Sequence, residues 1–283
     1  MINTSGKELS MGFSPCPNDT FIFYALMHGK VQDNDFRFHQ IFEDVETLNR
    51  MALEAELDIT KVSYHALGFV RDEYALLHSG GALGRGCGPL IVAKDDFGID
   101  ELAGKRIAVP GRYTTAFLLL QLYNPAFRDN IIFIPFNKIM KAVKEGEADA
   151  GVIIHESRFT YSLYGLKQII DLGQWWEAAT GAPIPLGAII AKRSLGIGLI
   201  GKIDNMIRSS IDYAFSHREE TYPYIKKHSQ ELADEVIGKH IDLYVNDYSL
   251  DIGGEGLAAV GRLMYMAEER GIFDKNDKPL FIV

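Results

Sequence analysis

The stretch ADAGVIIHES, residues 149–158, carries an apolar run straight into His155 and Glu156. A histidine at the carboxyl end of a buried strand, with an ordinary pKa of ~6.5, suits general-base work near neutral pH. HESRF has Phe159 where the zinc motif H-E-x-x-H needs its second histidine, which argues against zinc. Three further stretches offer ligand contacts. In FSPCPNDTFIF (13–23) a strand meets two prolines and then Asn18, Asp19 and Thr20, a stiff turn that opens a helix and presents side chains and free N–H groups. Cys16 lies in no protease or hydrolase signature, since GFSPC lacks the final glycine of G-x-S-x-G. In VPGRYTTAF (109–117), Thr114 and Thr115 open another helix, where hydroxyls and unsatisfied N–H groups can cap the helix and also receive a carboxylate or phosphate. HSGGALGRGCGPL (78–90) has five glycines among thirteen residues but spells neither G-x-G-x-x-G nor a P-loop. It reads as a hinge, a ligand wall or both, with Arg85 meeting a carboxylate or forming an exposed salt bridge. Trp175 and Trp176 are adjacent, so on a helix they point about 100° apart; one could wall a ligand site while core packing takes the other.

Short apolar, often β-branched runs alternate with helical-period runs, as in βαβ units. The pattern predicts strands at 9–13, 36–42, 57–62, 74–79, 89–93, 105–109, 130–135, 150–154, 167–171 and 186–191. DVETLNRMALEAE (44–56) and KIMKAVKEGE (138–147) read as helices, the first capped by Asp44. LEAELDITKVSYHA (53–66) and VKEGEADAGVIIHE (143–156) look alike: an acidic helix end, a strand, then Ser63 in one and His155 in the other. Carboxyl ends of parallel strands are where open α/β sheets bind ligands, so two similar lobes facing one cleft are expected. After about 195 the pattern turns to long helices over 198–217, 229–246 and 255–271, which should pack back on the first lobe. PLFIV (279–283) reads as an extra strand or a covering segment. The expected division is 1–93 plus 194–283 for lobe 1 and 94–193 for lobe 2.

The chain has 283 residues, 47% hydrophobic and 24% charged, as befits a folded globular protein of two domains. A net charge of −9 without clustered Lys and Arg argues against nucleic acid. Two cysteines, Cys16 and Cys87, give neither a disulfide framework nor a metal pattern. MINTSGKELSMGF lacks an apolar h-region, and no segment reaches the ~18 apolar residues of a membrane span, so a cytoplasmic protein with no membrane partner is expected.

In this order, GFSPCPNDTFIFYAL, EDVETLNR, KVSY, SGGALGRGCGPL, AVPGRYTTAF, GVIIHESRFTY, DLGQWWE and PLGAII resemble the 1,4-dihydroxy-6-naphthoate synthase family of the futalosine route to menaquinone. The resemblance runs from about residue 9 to 191 and continues weakly through 228–251. It implies an α/β, two-lobed fold like a type II periplasmic binding protein, each lobe a mixed, mostly parallel sheet flanked by helices, with the ligand cleft between lobes. It also implies cleavage of cyclic dehypoxanthinyl futalosine to 1,4-dihydroxy-6-naphthoate and dihydroxyacetone, without metal or organic cofactor. His155 matches the family's proposed base. Lys61, Val62 and Ser63, and Thr114, Thr115 and Ala116, match its substrate-contacting stretches, with no departure at those positions. A base of ordinary basicity needs the developing oxyanion stabilised; Asn18, Ser63 and amides of the glycine loop are candidates. The partner expected is a small-molecule carboxylate, with oligomerisation left open. Rival readings are a small-carboxylate solute-binding protein of the same fold, chorismate dehydratase, which should lack the HESRFTY segment, and a regulator's ligand-sensing domain.

Overall fold

The computed structural model describes residues 7–230 and 233–282. The reading of the N-terminus rests partly on residues 1–6, the helix read over 229–246 includes 231 and 232, and PLFIV ends at 283; these positions lie outside the described residues. Strands are β1 (Lys7–Phe13), β2 (Phe36–Phe42), β3 (Ile59–Ser63), β4 (Tyr74–Leu76), β5 (Ala82–Gly84), β6 (Leu90–Ala93), β7 (Ile107–Val109), β8 (Ile131–Phe133), β9 (Ala150–Ile153), β10 (Lys167–Asp171) and β11 (Ile184–Lys192). Helices are α1 (Pro17–Met27), α2 (Val45–Leu53), α3 (Tyr64–Val70), α4 (Thr115–Tyr123), α5 (Phe136–Glu145), α6 (Ser157–Thr160), α7 (Leu172–Thr180), α8 (Ile197–Ser216), α9 (Arg218–His228), α10 (Asp234–Tyr244), α11 (Asp247–Leu250) and α12 (Gly253–Glu269). Ten of the strands fall where the apolar runs predict them. The short β5 does not: three residues of the glycine loop carry no readable alternation.

The chain divides into two compact units, Met1–Ala82, Gly187–Gly253 and Lys275–Val283 in the first, Leu83–Leu186 and Gly254–Asp274 in the second. The unit changes thus fall earlier than the expected 93 and 193. The physical reason is pairing: β6, expected at the end of lobe 1, is hydrogen-bonded to β9 and β10 of the second sheet. α12 also groups with the second unit, although the helical tail was expected to return whole to lobe 1. Its buried stripe of Ala259, Val260, Leu263 and Ala267 announces burial at helical spacing, and spacing says nothing about which unit does the burying.

In the first unit the sheet order is β2-β1-β3-β11-β4, with β5 also paired to β11. β1 pairs in parallel with β2 and β3, whereas β11 runs antiparallel to β3 and β4. Leu9, Met11 and Phe13 alternate along β1 and meet Ile22, Phe23 and Leu26 of α1 and Ile203, Ile207 and Ile211 of α8 in one core cluster. Each such buried side chain stabilises the fold by about 1.5–3 kcal/mol against leaving it in water. Asp44 caps α2 as expected, accepting from the Glu46 and Thr47 amides.

In the second unit the order is β10-β6-β9-β7-β8. β7 pairs in parallel with β8 and β9, while β6 runs antiparallel to β9 and β10. Both sheets are therefore mixed, with more antiparallel pairing than the expected mostly parallel arrangement, because β6 and β11 run against their neighbours. α5 lies close on β9, since a Cβ at Gly151 would stand 2.4 Å from Ile139 Cγ2. PLFIV is a covering segment: the Leu280 carbonyl accepts from the Leu76 amide, and no strand forms there among the described residues. No helix among the described residues is long and apolar enough to cross a membrane.

Candidate active site

The first unit places Lys61 and Ser63 two residues apart on β3, so both face one side of the sheet and Val62 faces the other. All three are buried. Asn49 of α2 holds the end of the strand: the Ser63 amide donates to Asn49 Oδ1 at 2.8 Å and Asn49 Nδ2 donates to Ser63 Oγ at 3.2 Å. The Ser63 hydroxyl is thus an acceptor within the protein, and its own proton has no acceptor among the described residues. Lys61 Nζ donates to the Gly80 carbonyl at 2.6 Å and forms an ion pair with Asp19 Oδ1 at 3.3 Å. Two buried donors on one strand face therefore keep capacity for a ligand oxygen. Gly80 owes its place to φ +79°, and a Cβ there would stand 2.0 Å from Ile189 Cδ1.

Asp19, in the first turn of α1, accepts from the Ser14 hydroxyl at 2.7 Å, the Ser14 amide at 3.2 Å and Asn18 Nδ2 at 2.9 Å. Asn18 Oδ1 lies 2.9 Å from His240 Nε2 of α10. Both ends of the Asn18 amide are consequently engaged inside the protein, and its place is beside Asp19.

The second unit holds the Thr114–Ala116 segment and His155. Thr114 caps α4: its hydroxyl donates to the Gly111 carbonyl at 2.9 Å and accepts from the Phe117 amide at 3.3 Å. Thr115 donates its hydroxyl to the Leu186 carbonyl at 2.6 Å. Both hydroxyl protons, expected as ligand donors, are spent on the backbone. The Thr115 and Ala116 amides, two of the unsatisfied N–H groups at the start of α4, find no acceptor among the described residues.

His155 follows the end of β9, half-buried, with φ +57°, in the left-handed region that a side chain bearing a Cβ enters at a cost of order 1–2 kcal/mol. Its ring meets Phe136 edge to face, centroids 5.0 Å apart. The conformation is held from behind. The Arg158 amide donates to the His155 carbonyl at 3.3 Å. The Arg158 guanidinium donates to the Gly88 carbonyl and to Asp171 Oδ2, each at 2.6 Å, and Asp171 in turn caps α7 through the Gly173 and Gln174 amides.

Other expected contributors have different duties. Arg85 is exposed and bonds Glu255 at 2.9 Å and the Gly181 carbonyl at 3.1 Å, the surface salt bridge of its two readings. Trp176 is fully buried and donates to the Pro183 carbonyl at 3.0 Å, while Trp175 packs edge-on against Tyr123. Burial pushes the Cys87 thiol up to about 12, far from a nucleophile's range. No group of three or more His, Cys, Asp or Glu side chains arranged to hold a metal occurs among the described residues. Asp19 was read only as part of a helix-opening turn, and Asn49, Arg158 and His240 went unread in the sequence. Only His240 left a signal, a polar residue set in the apolar stripe Ile237, Ile241 and Tyr244 of α10.

Residues 9–269 match the family model described as menaquinone biosynthesis. A 1,4-dihydroxy-6-naphthoate synthase of Thermus thermophilus is 54% identical over 276 residues, covering 98% of this chain and 100% of the relative. The enzyme of the same name from Streptomyces coelicolor is 44% identical over 272 residues, 95% of each chain. Among solved structures, a protein of Archaeoglobus fulgidus superposes with a TM-score of 0.89 at 39% identity, over 94% of this chain and 98% of its own. The periplasmic aliphatic sulphonate binding protein of Escherichia coli superposes with a TM-score of 0.67 at 13% identity, over 98% of this chain and 91% of its own, a likeness of fold alone.

Proposed function

Because the chain belongs to the menaquinone-biosynthesis family, with relatives that are 1,4-dihydroxy-6-naphthoate synthases over almost its whole length, we propose that it is the lyase that converts cyclic dehypoxanthinyl futalosine to 1,4-dihydroxy-6-naphthoate and dihydroxyacetone, with His155 as general base. The observation that carries the base assignment is the backbone of His155 itself. A non-glycine residue at φ +57°, backed by the part-buried Arg158 clamp, carries strain, and such strain collects where a side chain must be aimed.

In this reading the neutral imidazole takes a hydroxyl proton from the sugar-derived part of the substrate. The carbon–carbon bond then breaks in a retro-aldol sense, dihydroxyacetone leaves, and the remaining ring becomes aromatic, which supplies the driving force. The amides of Thr115 and Ala116 receive the naphthoate carboxylate at the positive end of α4. Lys61 and Ser63, which the family resemblance assigns to substrate contact, each keep donor capacity for a substrate oxygen.

The test is a product assay by liquid chromatography and mass spectrometry, with the cyclic substrate fed to metal-stripped wild type and to His155→Ala. The wild type should release naphthoate and dihydroxyacetone, and the folded variant should bind naphthoate but turn over at least ~100-fold more slowly. Binding of small carboxylates by both proteins with turnover by neither would establish the solute-binding reading instead.

A further inference from the structure

Asn18, Asp19, Lys61 and His240 are all buried, and two hydrogen bonds and an ion pair link them in series. The Asp19 carboxylate can only accept, so Asn18 Nδ2 must face it and Asn18 Oδ1 must face His240. That carbonyl in turn can only accept, which puts the His240 proton on Nε2. Every polarity along the chain is thereby fixed, from a fully buried imidazole to an ammonium.

A buried ion pair of this kind seldom stabilises a fold beyond what an apolar pair of equal volume would contribute, because desolvation offsets the attraction. Stability is therefore a poor reason for Lys61 and Asp19 to be here. The N–H groups of Lys61 that Gly80 does not take supply a better one. An ammonium on a four-carbon stem moves freely in water, whereas this one is anchored by its hydrogen bond to the Gly80 carbonyl at 2.6 Å and by the charge of Asp19 at 3.3 Å, which fixes where the ammonium stands. Asp19 is itself held by Ser14 through two bonds and by Asn18 through one.

We propose that His240, Asn18 and Asp19 are positioning residues that hold the Lys61 ammonium where an N–H not taken by Gly80 meets an oxygen of the bound ligand. The proposal rests on the reading of Lys61–Ser63 as a ligand-contacting segment. His240 acts at the far end of the relay, by holding the Asn18 amide in the orientation that binds Asp19.

The experiment is a calorimetric titration of 1,4-dihydroxy-6-naphthoate into the full-length protein and its variants, each checked for a cooperative melt. Lys61→Met should weaken binding by about tenfold or more, the scale of one charged hydrogen bond. Asp19→Asn should weaken it comparably, and the double variant Lys61→Met/Asp19→Asn should bind no worse than Lys61→Met alone, since Asp19 acts only through Lys61. His240→Leu should weaken binding in the wild-type background, have no effect in the double variant, and be relieved by His240→Gln, which keeps an N–H toward Asn18. Full additivity of Asp19→Asn or His240→Leu with Lys61→Met would assign them independent structural roles and overturn the proposal. Weakened binding in Lys61→Met with none in Asp19→Asn would overturn the positioning while leaving the segment reading intact. Unchanged binding and turnover in Lys61→Met would overturn the segment reading, and the proposal with it. Should a single charge variant fail to fold, the His240→Leu comparison with and without the neutral pair still decides the matter.

Discussion

His155 sits at φ +57°, and that one dihedral separates what its backbone requires from what its side chain does. Glycine enters the left-handed region without penalty, whereas alanine keeps a Cβ that crowds the carbonyl. His155→Gly should therefore melt at or above His155→Ala, by a degree or two, even though glycine loosens the unfolded chain. Both should lose turnover to the same extent, by at least ~100-fold. Scanning calorimetry with a rate measurement checks both halves; an alanine variant more stable than the glycine variant would show that the strain is not present. The identity of this residue was legible in the sequence because a strand ran directly into it. The duties of Thr114 and Thr115 were legible only in part. Capping was predicted, but Oγ1 of Thr115 finds its acceptor at Leu186, 71 positions away, and no local pattern announces such a partner.

At the scale of elements, the bond network at Glu220 ties α9 to α1 and α8. Lys30 lies 2.7 Å from its carboxylate, Tyr213 donates at 2.8 Å and Tyr24 at 3.3 Å. The hydrogen bonds from Lys30 and Tyr213 bring Glu220 down from its ordinary 4.5 to about 2. A folded-state value below the unfolded one means that stabilisation is fully present above the unfolded pKa and is lost as pH falls through the folded pKa. The melting temperature of wild type should therefore exceed that of Glu220→Gln near neutral pH, and the gap should narrow as pH falls from about 4.5 toward about 2. Because the carboxylate is more than one-third exposed, the gap is small and shrinks further in about 1 M salt. A gap constant across that pH range would mean that the network does not hold the helices. Elements themselves were the most readable layer: β-branched runs marked ten strands, and Asp44 marked the start of α2. β5 escaped because Ala82–Gly84 is too short and too rich in glycine to show a period.

At the scale of the molecule, the donor set available to a metal is sparse. No cluster of three or more His, Cys, Asp or Glu arranged to hold an ion occurs among the described residues. Under the proposed base mechanism, turnover after exhaustive chelation should stay within about twofold of the untreated enzyme. A loss restored by one divalent cation would overturn the proposed mechanism. The sequence by itself determined the α/β class, the strand positions, the cap at Thr114 and the strand ends at Ser63 and His155, because apolar period and capping chemistry are local properties of a chain. The tertiary structure alone decided that β6 and α12 belong to the second unit, that Arg158 braces the segment of His155, and that His240 reaches Asn18 across 222 positions. Periodicity reports that a face is buried; which partner buries it, and where a polar group spends its last proton, depends on pairings between residues far apart in the chain.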